Sequence, residues 1–202
     1  MQTTFPRLMF ERAAKRPADS AMREKEYGIW QVTTWKAMAD MASAMAAGLH
    51  QAGLQRGEHV VIIGDNRPRL YAAMLGIQIL GGIPVPLYQD ATGPECVFPI
   101  NNAAVRFAIV EDQEQVDKLL EVRADCPQLA HIYYHDPRGM RNYDEEGLWS
   151  LDELVAEGGA VLRTLPKVFP VLEVWVEQRA PVPGGRMVVI IAAGTAKREQ
   201  AS

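Results

Sequence analysis

Few groups of side chains in this sequence could do chemistry on type and spacing alone. Asp65-Asn66-Arg67 follows the β-branched run Val60-Val61-Ile62-Ile63, which puts a carboxylate, an amide and a guanidinium at the carboxyl end of a buried strand. Open α/β sheets hold ligands at that edge. The same residue types make turns and helix caps, and that is the favoured reading, because Asn and Asp bond their own backbone readily. His131 and His135 stand four apart, a spacing that ligates metal from one face of a helix. HIYYH reads as a strand, however, so loop and surface roles are expected for both. Glu111, Asp112 and Glu114 form an acidic cluster, which the partial positive charge of a helix N-terminus is enough to explain. Gly81-Gly82 follows a helix and belongs to no G-x-G-x-x-G pattern, so it reads as a helix stop. Met38, Met41 and Met45 would suit an adaptable apolar surface, but core packing is the default. Cys96 and Cys126 lack metal-site spacing and are expected to be reduced.

The elements that must position these groups alternate. A helical pattern runs from Phe5 to Ala14, an extended stretch from Ala21 to Val32 turns at Tyr27-Gly28, and Trp30 and Val32 are candidates for one buried face. Thr33 or Thr34 can cap a helix whose stripe is Trp35, Met38, Ala42, Met45 and Leu49, closed at Gly53. Val60 to Leu87 reads as strand, turn, helix and strand, with Pro68 in the first helical turn. Pro84 and Pro86 confine the second strand to an edge. Pro94 starts a helix that Pro99 is expected to interrupt. Phe107–Val110 and His131–Tyr134 are further strands, separated by a helix over 113–125. HDPRGMRNYDEEG reads as a loop, and Ser150 with Glu153 makes a capping box for a helix over 151–157. The fold class is therefore α/β, a mainly parallel sheet flanked by helices.

Composition sets bounds. With 48% hydrophobic and 23% charged residues the chain is globular, and a net charge of −4 without a basic stripe argues against nucleic acid as a partner. No run approaches the ~20 apolar residues of a membrane span, and the N-terminus lacks a signal-peptide pattern, so a cytoplasmic location is expected.

Four segments carry a family resemblance. Residues 33–68, TTWKAMADMASAMAAGLHQAGLQRGEHVVIIGDNRP, resemble the opening block of the AMP-forming adenylate-forming enzymes, and residues 75–95, LGIQILGGIPVPLYQDATGPE, resemble their second block. NNAAVRFAIVEDQEQVDKLL and HIYYHDPRGMRNYDEEGL are similar to the long-chain fatty acyl-CoA synthetase branch. The resemblance covers residues 5–157 and implies the N-terminal part of such an enzyme's α/β domain. Members use ATP and Mg2+ to convert a fatty acid to an acyl-adenylate, then pass the acyl group to coenzyme A.

The resemblance also implies a Ser/Thr/Gly-rich phosphate loop ending in lysine. Gly194, Thr195 and Lys197 of VVIIAAGTAKREQAS can be laid on it as nucleotide-binding residues, but Ala192-Ala193 replace its serine/threonine pair and its second glycine and proline are missing. The sequence thus divides into a synthetase-like subdomain, 1–157, and a divergent tail, 158–202, as though a reading frame or gene boundary had changed. These 202 residues end before the adenine block, ribose aspartate and C-terminal domain, so no catalytic residue is assigned and no adenylation by them alone is expected. The alternative function is a non-catalytic acyl-chain or partner-binding module. Self-association, or pairing with a synthetase, would follow from the half-exposed sheet expected of a partial domain.

Overall fold

The computed structural model describes residues 4–164, 174–176 and 191–193. Helix α1 (Phe5–Lys15) starts where Thr4 Oγ1 accepts the Arg7 N–H at 3.4 Å, and it buries Pro6 and Met9. Strands β1 (Ser20–Glu26) and β2 (Ile29–Thr34) form an antiparallel hairpin. Here the expectation for Trp30 and Val32 fails, because they are 64% and 53% exposed. Their register partners are Lys25 and Arg23, and opposed residues share a face, so burying the two apolar side chains would bury two cations as well.

Thr34 Oγ1 accepts the Ala37 N–H at 3.2 Å and opens α2 (Trp35–Gln51). Its stripe of Met38, Ala42, Met45 and Leu49 is buried, which settles the methionines as core. Burial extends to Ala44, Ala47 and Gly48 because a second helix covers that side. Gly53 takes φ +89° and lets the Leu54 N–H return to Leu49 O at 2.9 Å.

The central sheet contains β3 (His59–Ile63), β4 (Ile83–Leu87), β5 (Phe107–Val110), β6 (His131–Tyr134) and β7 (Leu148–Ser150), ordered β4-β3-β5-β6-β7 and parallel throughout. Helices α3 (Pro68–Ile79), α4 (Gly93–Asn102), α5 (Gln113–Glu121) and α6 (Leu151–Thr164) complete the layers. One core joins Val60, Ile62, Phe107 and Ile109 to α1, α2, α3 and α6, while the other joins Val61, Ile63, Ala108 and Val110 to α4 and α5. Both sheet faces are therefore covered, which corrects the half-exposed sheet expected from sequence.

Three other local expectations change. Helix α4 runs through Pro99, because the proline removes only one bond late in a ten-residue helix and Glu95 secures its start by accepting the Thr92 N–H at 2.8 Å. Strand β7 follows directly after the expected loop, at residues to which no strand was assigned. Helix α6 continues from Leu151 past Glu157 to Thr164. Gly158 allows this, since a Cβ there would stand 1.9 Å from Ala44 O of α2. The capping box at α6 is present in part: the Ser150 N–H donates to Glu153 at 3.0 Å, while Ser150 Oγ accepts from Asp152 N–H at 3.1 Å.

At the β4 edge the prolines have a clear purpose. The Ile83 N–H points inward to Glu58 O at 2.8 Å, so alternation turns the nitrogens of Pro84 and Pro86 outward, where no donor is left to recruit another strand. Strands β8 (Val174–Val176) and β9 (Ile191–Ala193) pair antiparallel with each other, outside the central sheet.

Candidate functional site

The carboxyl edge of the sheet is where a ligand would be sought. After β3 the chain crosses to β4 on one side, whereas β5 enters on the other, so the connections diverge between β3 and β5. In open α/β sheets that divergence opens a ligand crevice. Gly64-Asp65-Asn66-Arg67 forms one wall and Glu111-Asp112 the other.

A side chain of the protein itself fills this crevice. Glu111 donates its N–H to Ile63 O at 2.9 Å, and its carboxylate accepts from the Asp65 N–H and from Arg67 Nε. That carboxylate is only 12% exposed. Gly64 permits the approach: a Cβ there would come within 2.6 Å of Glu111 Cβ, and its φ of +155° suits glycine alone. Arg67 also reaches Glu24 of the hairpin at 3.7 Å and Asp65 at 4.0 Å. The hydrogen bond that Arg67 donates to Glu111, with the surrounding acids, raises the Arg67 pKa above its usual value. The Arg67 N–H returns to Asp65 O at 2.7 Å and Arg67 precedes α3, so Asp65-Asn66-Arg67 makes the expected turn, but no side chain caps the helix.

The next layer is equally self-paired. Arg69 bonds Asp152 of α6, and Arg138 bonds Asp136 at 2.7 Å. The hydrogen bond from Arg138 lowers the Asp136 pKa. The His135 N–H donates to Val110 O at 3.0 Å, while its Nδ1 and the Nε of Arg69 are buried without a partner among the described residues. Burial, then the nearby Arg69 charge, lowers the His135 pKa.

Tests of fit follow from this geometry. A nucleotide phosphate at the switch point would face the Glu111 carboxylate and find the Asp65 N–H already bonded, so the described residues do not fit ATP there. Among them no group of three or more His, Cys, Asp or Glu could hold a metal ion. His131 is the first residue of β6 and His135 follows its last; His131 stacks on Phe107 with ring centroids 4.8 Å apart, and the Nδ1 of each histidine is buried, which corrects the surface role expected for both. Asp112 caps α5 by accepting the Gln115 N–H at 3.3 Å, and Lys118 pairs with Glu114 at 2.7 Å. Gly81 accepts the Gly57 N–H at 2.9 Å as part of a turn. Gly194, Thr195 and Lys197 lie outside the described residues, as does a phosphate loop built from them. Sequence reasoning gave Glu111 a helix-end role and missed its partner 46 residues earlier. Nothing in the local pattern could have found it.

Cavities open among the described residues. One of about 290 Å³ lies at the ends of β3 and β4 between Asn66, Tyr71, Met74 and Tyr88, with the Tyr71 hydroxyl donating to Asn66 Oδ1 at 3.0 Å. A larger one of about 590 Å³ opens between α1, β1 and the starts of α2 and α3, lined chiefly by apolar side chains.

Comparison with known proteins gives this architecture its context. The AMP-binding enzyme family matches residues 9–182. This chain belongs to that family. The long-chain-fatty-acid–CoA ligase ACSBG2 of Rattus norvegicus is 31% identical over 160 residues, covering 78% of this chain and 24% of that protein. ACSBG1 of the same species is 26% identical over 161 residues, covering 78% of this chain and 22% of its own length. The chain thus spans about a quarter or less of the curated relatives it matches. Among solved structures, acetoacetyl-CoA synthetase from Streptomyces lividans superposes with a TM-score of 0.67 at 19% identity, covering 75% of this chain and 24% of that one. The anthranilate CoA ligase AuaEII superposes at 0.61 and 21%, covering 73% and 27%. These likenesses establish an adenylate-forming CoA-ligase fold. The family match runs past residue 157, the limit of the resemblance read from the sequence blocks. Among the described residues no helix is long and apolar enough to cross a membrane.

Proposed function

We propose that this polypeptide forms the N-terminal α/β layer of a cytoplasmic long-chain fatty acid–CoA ligase, with residues 158–202 as a divergent tail, and that these 202 residues do not adenylate by themselves. The observation that carries the reading is the 31% identity over 160 residues with a long-chain-fatty-acid–CoA ligase. The fatty acid, ATP, Mg2+ and coenzyme A belong to the intact reaction. Attaching AMP to the carboxylate turns a poor acyl donor into a good one. The role of this layer is to carry the sheet against which catalytic segments are set, and its closed switch point supports the lack of independent chemistry.

Two experiments test the proposal. Fatty-acid-dependent ATP/pyrophosphate exchange by the purified polypeptide is expected to be at background, and clear turnover overturns the claim of incompetence. Grafting residues 5–157 in place of the matching segment of a long-chain ligase is expected to preserve acyl-CoA formation. A folded chimera without activity refutes the assignment.

A further inference from the structure

The cavity of about 290 Å³ at the carboxyl ends of β3 and β4 is walled by two phenol rings, Tyr71 and Tyr88, two carboxylates, Asp65 and Asp90, and two amides, Asn66 and Gln89, together with apolar side chains of β3, β4 and α3. Among the described residues no lysine, arginine or histidine lines it. Its walls are held in place. The Tyr71 hydroxyl donates to Asn66 Oδ1 at 3.0 Å, which ties α3 to the turn after β3. Beyond β4 the Ala91 N–H returns to Tyr88 O at 3.1 Å, and Lys118 of α5 donates to Gln89 O at 2.6 Å, so the turn carrying Tyr88, Gln89 and Asp90 is closed and tethered.

Neighbouring cations are engaged elsewhere. Arg67 bonds Glu111 and stands 4.0 Å from Asp65, at the limit of an ion pair, while Lys118 pairs with Glu114 at 2.7 Å. Asp90 has no cationic partner among the described residues. Both rings are open to solvent, Tyr88 at 77% and Tyr71 at 39%. Aromatic rings attract cations through their quadrupole, and the carboxylates add to that field. A phosphate or carboxylate would instead meet Asp65 and Asp90 with no opposing charge from the wall. A hard divalent metal is unsuited too, because it takes six or more oxygen ligands and no group of three or more His, Cys, Asp or Glu among the described residues could hold one. An ammonium carried on a small carbon skeleton matches every part of the wall, with Met74 and its apolar neighbours beside the carbon.

We propose that this cavity is a binding site for a small alkylammonium ion, its charged group set among Tyr71, Tyr88, Asp65 and Asp90. The site adjoins the crevice that Glu111 closes and is independent of the ligase assignment.

The full 202-residue chain is titrated with choline chloride and, separately, with dimethylbutanol, its neutral carbon isostere, at an ionic strength matched with sodium chloride. Saturable amide shifts in two-dimensional NMR are expected with choline alone, at residues 64–66, 71–74 and 86–90. Intermolecular Overhauser effects from the choline methyls to the Tyr71 and Tyr88 rings are expected on the unmodified chain, which removes any dependence on how variants fold. Tyr88→Leu changes an exposed position and should weaken choline binding by a factor of about two to five without altering the melting temperature. Asp90→Asn, which keeps the side chain's shape, should weaken it by a similar factor. No saturable choline response, an equal response to the neutral isostere, or Overhauser effects to neither tyrosine overturns the proposal. So does tighter binding of hexanoate than of choline, which would make the cavity a site for anions.

Discussion

Gly158 and Gly159 are adjacent in α6, and helix propensity treats them alike: replacing either with alanine should stabilise by about 0.5–1 kcal/mol. Packing separates them. A Cβ on Gly158 would lie 1.9 Å from Ala44 O and 2.7 Å from Gly48 N, whereas one on Gly159 meets nothing nearer than Arg163 Nη1 at 3.5 Å. Gly48 makes the reciprocal approach, with its own Cβ position 2.4 Å from Leu154 O, so the α2 and α6 backbones touch through a pair of glycines. Restoring ordinary contact at Gly158 requires the helices to part by about 1.5 Å, since 3.4 Å is the near limit of ordinary contact. Overpacking by one methyl costs about 1–3 kcal/mol, and the obstacle here is backbone, which places Gly158→Ala near the top of that range. Subtracting the propensity gain leaves a loss of about 2 kcal/mol, or roughly 4–8 °C in melting temperature for a chain of this size. Gly159→Ala should instead gain up to about 1 kcal/mol. Urea unfolding followed by far-UV circular dichroism measures both, and equal stability of the two variants would refute the close-packed α2–α6 contact.

Other consequences are as direct. Glu111→Gln keeps the shape of the plug but removes its charge from Arg67, which is 38% exposed; solvent screening limits the expected loss to about 1 kcal/mol, read as a lower urea midpoint. An unchanged midpoint would show that the carboxylate does not close the crevice. His131 and His135 both have pKa values lowered chiefly by burial, so the unfolded chain takes up their protons first as pH falls. Stability should therefore be full above about pH 6.5 and decline below it, until the folded imidazoles protonate in turn. His135→Gln should flatten the decline, and a wild-type profile already flat from neutral to mildly acidic pH would contradict the assignment. Pro84→Val with Pro86→Val restores two outward N–H groups on β4 and should raise self-association in size-exclusion chromatography. A variant that elutes like the wild type would undercut the edge argument.

The division between sequence and tertiary structure follows the range of the forces involved. Runs such as Val60 to Ile63, the Trp35-to-Leu49 stripe, the Thr34 cap and the Gly53 turn were legible because each depends on neighbours within about one or two helical turns. Order and spacing of the blocks likewise announced the parallel α/β family. The hairpin face was misread because Trp30 and Val32 look like core until the register sets Lys25 and Arg23 beside them. The ends of α4 and α6 were misread because Pro99 and Gly158 are judged by local rules, although a capped first turn tolerates the one and a helix crossing requires the other. What only the fold decided is the state of the ligand edge. Asp65 and Arg67 are placed by sequence at the end of a strand, but Glu111 reaches them across 46 and 44 residues and completes their hydrogen bonds. Its reach depends on β3 and β5 being neighbours, a consequence of parallel pairing that no local pattern encodes.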